Sequence, residues 1–302
     1  MYVTNYIFYY YHIIGTMNVV NNISKLGIKY EKTILAKGEI FTVKKLWHPK
    51  IDHWNAIYHN IKKPFNINKF VTPSFPICIG KTKLDLIQKC PNVLRVPIKK
   101  GGSDEIRIPK ELLCMSDEIL RILNYDYFIM GAMWKNMFCH LTIHNAFVEA
   151  GTTQRFSGFH GDGLQGAKFS KKILCEHSYV MTAPYPTIIS MQPYFVAHYN
   201  DCRDNIFKAF DQQVKQDSLY RLQEENIYLI DPYVVHASPV LDRSTYRTFF
   251  RLTTTPKELL MPKNTINPMF DGQMYPDRIE VREFVTEPSN VIPYNFYGIQ
   301  EI

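Results

Sequence analysis

The strongest constraint on this chain's fold lies between residues 137 and 255, where short apolar runs alternate residue by residue. MFCHLTIHNAFVEAG sets His140, Thr142 and His144 against Cys139, Leu141 and Ile143. A period of two is the mark of a strand, whose successive side chains point to opposite faces. RFSGFHGDGLQG, ILCEHSYVMT, PTIISMQPYFVAHY, NIYLIDPYVVHASP and STYRTFFRLTTT follow, with one helical stretch, DNIFKAFDQQVKQD, between them. Short strands at this spacing read as a β-sandwich or barrel. The expected class is α+β, mainly β, with a double-stranded β-helix (a cupin-like jelly roll) at its core and helices packed outside.

Upstream the pattern is mixed. ILAKGEIFTVKKLW alternates like a strand, and VLRVPI–KKGGSDE–IRIP reads as a hairpin about Gly101-Gly102. PKELLCMSDEILRIL has apolar spacings of three and four behind Pro109, which predicts a helix. The division expected is a leader over 1–16, a basic mixed α/β region over 17–108, the catalytic core over 109–255 and a wrapping tail over 256–302. Residues 1–16 lack a basic start and a small-residue cleavage site, so Met17 is the expected functional start.

Charge divides the chain in the same way. Residues 25–110 hold 18 Lys/Arg against 6 Asp/Glu, whereas the whole chain of 302 residues carries only +7. Such a surplus favours contact with a polyanion, although an AT-rich coding bias would also produce abundant lysine. The six cysteines form no CxxC, which removes zinc-ribbon and dithiol motifs and points to a reduced, intracellular, cytoplasmic setting. No apolar run reaches the length of a membrane span, and no membrane partner is expected. Oligomeric state is not legible.

The chemistry concentrates in GFHGDG. His160 and Asp162, two apart on extended chain, can present both side chains to one metal. His236, at the end of IYLIDPYVVH, is the leading third ligand. Two imidazoles and one carboxylate leave open positions on the metal, the facial triad of non-heme Fe(II) oxygenases. Arg247 follows eleven residues later in TYRTFFRLT, where Arg247, Phe249, Arg251 and Thr253 share one strand face. A guanidinium facing inward calls for an anion, and its fork matches a carboxylate.

The order HxD, second His, then Arg on the last strand resembles the Fe(II)/2-oxoglutarate dioxygenase superfamily, with the spacing of its phytanoyl-CoA hydroxylase and taurine dioxygenase branches. The resemblance covers roughly residues 139–254. It implies a hydroxylase in which His160, Asp162 and His236 hold Fe(II), with 2-oxoglutarate as co-substrate and O₂ as oxidant. Arg247 would hold the distal carboxylate of 2-oxoglutarate and Ser238 would support it. Decarboxylation to succinate and CO₂ is then coupled to hydroxylation of a small-molecule or nucleic-acid-derived substrate. Arg251 matches a position that meets the substrate's anionic group in the taurine dioxygenase branch.

Weaker candidates surround this set. His140 and His144 are read as pocket-lining residues, against the commoner role of satisfied core histidines. Gln154, Arg155, Gln165 and His177 flank the metal strands and are further candidates for contact with co-substrate or substrate. Trp47, His48, His53, Trp54 and His59 cluster in the basic region without helical alignment, so packing or surface roles dominate. The alternative reading is a non-catalytic jelly-roll binding module with structural histidines, in which the triad would be dispersed.

Overall fold

The computed structural model describes residues 29–45, 56–162, 176–198, 205–259, 263–270 and 300–301. The leader over 1–16, the cluster Trp47, His48, His53 and Trp54, and Gln165 lie outside the described residues; His59 lies inside and is exposed. The protein is mainly β, with antiparallel sheets and few helices.

The strands are β1 (Lys29–Leu35), β2 (Gly38–Lys45), β3 (Ile77–Lys81), β4 (Val93–Lys99), β5 (Glu105–Pro109) and β6 (Phe138–Val148). They continue with β7 (His177–Ala183), β8 (Ile188–Ser190), β9 (Leu219–Arg221), β10 (Asn226–Ile230), β11 (Val235–Ala237), β12 (Thr245–Thr255) and β13 (Gln300–Glu301). The helices are α1 (Ala56–Asn60), α2 (Leu84–Gln88), α3 (Ser116–Met130) and α4 (Ile206–Gln213). Three sheets result, with orders β1-β2-β5, β3-β10-β7-β12-β6-β4 and β11-β8-β9-β13. Every pairing is antiparallel except the parallel contact of β13 with β9.

The expected hairpin about Gly101-Gly102 is a correction. Both strands form, but β4 joins β6 in the six-stranded sheet while β5 joins β2 in the three-stranded one. The connecting lysine explains the divergence. Lys99 is fully buried and donates to the carbonyls of Lys100, Lys135 and Met137, with its ammonium 4.4 Å from the Trp134 ring centroid. This capping ties the end of β4 to the segment before β6 and leaves Lys99 outside the surface charge.

The six-stranded sheet is buried on both faces, and the two faces differ in chemistry. On one side Cys139, Leu141, Ile143, Tyr179, Met181, Phe250 and Leu252 pack in a common core with Ile119, Ile122 and Leu123 of α3 and with Trp134. The helix expected behind Pro109 therefore exists, entered through a 3₁₀ segment at Lys110–Met115. Asp126 of α3 is the polar exception on this side. Its carboxylate is met by His177, Tyr179 and Thr254, all from the sheet.

The other face is polar. Register places Thr253 opposite His140 and Ser178, Arg251 opposite Thr142 and Val180, and Phe249 opposite His144 and Thr182. A sheet buried on both sides ordinarily carries apolar residues on both. A polar inner face must find partners or a ligand there.

A second, smaller core backs β8 and β11. Ile188, Val235 and Ala237 pack with Phe159, Phe70, Tyr194 and Phe210. No helix of the described residues is long and apolar enough to cross a membrane. Two free cysteines far apart in sequence, Cys90 and Cys114, bring their sulfurs to 3.0 Å, a pairing that motif spacing could not show.

Candidate metal centre

Alternation in β11 aims the first ligand. Val235 and Ala237 anchor in the smaller core, so His236 between them must point the other way. Its Nδ1–H donates to the carbonyl of Val234 at 2.9 Å. Asp231 holds the approach to this strand. Its carboxylate accepts from the backbone N–H groups of Tyr233 and Val234 and from Asn60 and Ser74, so the buried charge is satisfied four times.

His160 is placed by the same logic. Phe159 is fully buried in the smaller core, and the backbone of His160 pairs with that of His236 through two hydrogen bonds of 2.9 Å. Its Nδ1–H donates to Gly158 O at 2.8 Å. Asp211 of α4 fixes this loop by accepting the Phe159 N–H at 2.8 Å. A side chain at Gly158 would bring its Cβ within 2.9 Å of the Asp211 carboxylate. A Cβ there would force the carboxylate that holds the Phe159 N–H to shift.

Ligand atoms of His160, Asp162 and His236 all lie within 4.8 Å of one another. The two imidazole centroids are 4.4 Å apart. With each Nδ1 held as a donor by a backbone carbonyl, Nε2 is the nitrogen of each ring left to offer a ligating lone pair. Such backbone bonds orient metal-binding imidazoles. Asp162 supplies the anionic member. One oxygen accepts from Arg251 at 2.9 Å, and the other is buried with no protein partner among the described residues. An orphaned carboxylate oxygen beside two oriented imidazoles fits a divalent cation.

The electrostatics agree with that assignment. Burial pushes His160 down to about 3, helped by the neighbouring His236, so its ring is neutral and able to ligate at physiological pH. For Asp162 burial acts upward, but the neighbouring charges, led by the Arg251 guanidinium, outweigh it and hold the carboxylate well below its usual range.

The remaining sequence-derived residues divide. Arg251, His140 and His144 lie on the inner face of the six-stranded sheet. Burial, followed by Arg95, lowers His140 to about 4; burial, followed by Arg155 and Arg247, does the same for His144. Ser238 directly follows β11, with a buried hydroxyl lacking a hydrogen-bond partner among the described residues.

His177 is placed apart from the triad. It sits on the opposite face of β7, against α3, and its Nε2 is engaged by Asp126, so it serves the core.

Arg247 is held by protein acceptors. It is 1% exposed, and all three guanidinium nitrogens are already donors. Nε donates to Pro184 O and Tyr185 O, one terminal nitrogen donates to Tyr185 O at 2.8 Å, and the other donates to Gln154 Oε1 at 2.6 Å. Gln154 in turn donates to His144 O and Arg247 O. This is a clamp joining three segments of the fold, with its fork closed on protein acceptors.

Sequence reasoning missed Asp211 and Asp231. Asp231 had a local signal in its Asp-Pro turn, whereas Asp211 acts across 52 positions and had none. The chain matches no family model and no curated protein.

Proposed function

We propose that this protein is an Fe(II)- and 2-oxoglutarate-dependent oxygenase whose two larger sheets form a jelly-roll core around the metal. The observation that carries this reading is the triad of His160, Asp162 and His236, with both imidazoles oriented through Nδ1 and one Asp162 oxygen open. The polar inner face supports it, because buried His140, Thr142, Ser178 and Thr253 line the sheet next to the ligands.

When bound, Fe(II) supplies O₂ activation and couples oxidative decarboxylation of 2-oxoglutarate to hydroxylation of a substrate C–H bond. The chain's own residues set the conditions. Val234 O and Gly158 O keep the imidazoles in the ligating tautomer. Arg251 keeps Asp162 ionised and fixes its plane. Phe156 and Phe207 pack their rings edge-on against His160, at 5.3 and 5.8 Å, and form an apolar margin on that side of the metal.

The same proposal includes a polyanion contact through the exposed cations of residues 25–110. A steep fall in DNA or RNA affinity with rising salt is expected, and absence of such binding at low salt would remove it.

The decisive experiment measures metal uptake and 2-oxoglutarate turnover together. One Fe(II) per chain and succinate formation are expected, with both lost in His236→Ala. Succinate production screened across nucleotides, nucleic acids, amino acids and acyl thioesters would then identify the substrate class. Absence of metal uptake by the wild-type chain would overturn the proposal and favour a binding module.

A further inference from the structure

β4 and β5 leave their connecting turn for different sheets, and two thiols bring their far ends back together. Cys90 closes the turn between α2 and β4, and Cys114 lies in the 3₁₀ segment Lys110–Met115 that leads from β5 into α3. They stand 24 positions apart, yet their sulfurs meet at 3.0 Å. Exposure divides the pair. Cys90 is 5% exposed and belongs to the same core as Ile87, Leu112 and Met115, whereas Cys114 is exposed. A buried free thiol is by itself an inert apolar filler. That accounts for Cys90 but not for an exposed thiol turned onto it.

Each sulfur is carried by a firmly held segment. Cys90 Sγ donates to Leu86 O at 3.3 Å. The backbone around it is clasped to Asn145 of β6. Asn145 Nδ2 donates to Ile87 O at 3.0 Å and to Cys90 O at 3.2 Å. The Asn145 N–H donates to Asn92 Oδ1 at 2.6 Å, and Asn92 Nδ2 donates back to Asn145 O at 3.0 Å. On the other side Leu112 and Met115, each 1% exposed, anchor the 3₁₀ segment that presents Cys114. A disulfide holds its sulfurs at about 2.0 Å, so closure from this contact asks for about 1 Å of side-chain movement. Burial, followed by the Cys114 thiol beside it, pushes the Cys90 thiol up, so Cys90 keeps its proton until its partner is activated.

We propose that Cys90 and Cys114 form a hydroperoxide-sensitive dithiol in which Cys114 is the attacked sulfur and Cys90 the resolving one. The Cys114 sulfur takes the terminal oxygen of a hydroperoxide. The O–O bond breaks, Cys114 becomes a sulfenic acid, and the remainder leaves as an alcohol, or as water when the oxidant is hydrogen peroxide. The Cys90 sulfur then displaces the hydroxyl: the S–S bond forms, the S–O bond breaks, and the Cys90 proton leaves with the hydroxyl as water. Two thiols together give up two electrons and two protons, and the hydroperoxide accepts them. The bridge joins the far ends of β4 and β5, so oxidation fastens the three-stranded sheet to the six-stranded one. This site needs no metal and stands apart from the oxygenase reading.

The test treats the full-length, metal-free chain with hydrogen peroxide, blocks the remaining thiols and maps the tryptic peptides by mass spectrometry. A disulfide between peptides 90–95 and 111–121 is expected, and dithiothreitol should cleave it. Closing this loop restricts the unfolded chain, so the bridged protein should melt about 5–10 °C higher, with the gain lost on reduction. Cys90→Ala should accumulate a sulfenic acid on Cys114, trapped as its dimedone adduct, with no rise in Tm. Cys114→Ser should leave Cys90 unmodified and Tm unchanged by peroxide. Should Cys90→Ala fail to fold, Cys114→Ser, at an exposed position, carries the test.

Absence of the linked peptides after peroxide treatment would overturn the proposal. So would oxidation of Cys90 in Cys114→Ser at the rate seen for Cys114, because solvent oxidant would then reach the buried sulfur directly. Linkage of the same two peptides between different chains, seen as a dimer on a non-reducing gel, would remove the pairing within one chain. A bridge that forms with no change in Tm would refute the fastening of the two sheets.

Discussion

Replacing Arg247 by methionine separates the clamp from a ligand-binding role. The substitution keeps a long apolar stem and removes every guanidinium donor. Tyr185 O, Pro184 O and Gln154 Oε1 then lose their Arg247 partner in a region that is 1% exposed at Arg247 itself. Leaving three buried neutral acceptors unmet, at about 1–3 kcal/mol each and partly offset by removal of a buried charge, costs about 3–5 kcal/mol in all. For a chain of this size each kcal/mol moves Tm by about 2–4 °C, so a fall of about 6–20 °C is expected in metal-free protein without 2-oxoglutarate. Gln154→Ala should destabilise through the same link, and the double variant should lose less than the sum of the two. The assay is thermal unfolding of the three variants followed by far-UV circular dichroism. A Tm within about 2 °C of wild type, with a selectively raised 2-oxoglutarate requirement, would refute the clamp and restore Arg247 as the carboxylate holder.

Three further perturbations address the metal centre, the polar inner face and the paired thiols. Gly158→Ala should weaken Co(II) binding by about tenfold or more with little loss of helix signal, because its Cβ meets the Asp211 carboxylate and displaces the carbonyl that orients His160; unaltered Co(II) spectra would contradict this. His140 and His144 have folded-state pKa values lowered to about 4, so the unfolded chain takes up protons first as pH falls from 6.5. Stability is therefore full above pH 6.5 and is lost toward pH 4, by up to about 3 kcal/mol for each histidine; denaturant midpoints of wild type and His140→Gln that fall in parallel over that window would refute it. Diamide should join Cys90 to Cys114 within one chain, given sulfurs 3.0 Å apart, and absence of that cross-linked peptide by mass spectrometry would show that the thiols do not meet.

Local pattern decided the strands and singled out the candidate ligands. The alternation in FCHLTIH and TYRTFFRLT determined which side chains share a face, and β6 and β12 carry them as expected, because a two-residue period depends only on backbone geometry. HxD and the histidine closing IYLIDPYVVH were legible for the same reason: apolar neighbours such as Phe159, Val235 and Ala237 seek a core and turn the histidines away from it.

Partnership across the fold was decided only by tertiary structure. Face alone could not distinguish Arg247, enclosed by Gln154 and the Tyr185 carbonyl, from Arg251, which lies against Asp162. Both stand on the same side of β12. The capping of Lys99 that separates β4 from β5 and the placement of His177 against Asp126 likewise depend on residues far away in sequence. A sequence pattern records which way a side chain points from its own strand. Whether a charge that points inward meets protein or ligand depends on what the rest of the chain packs against it.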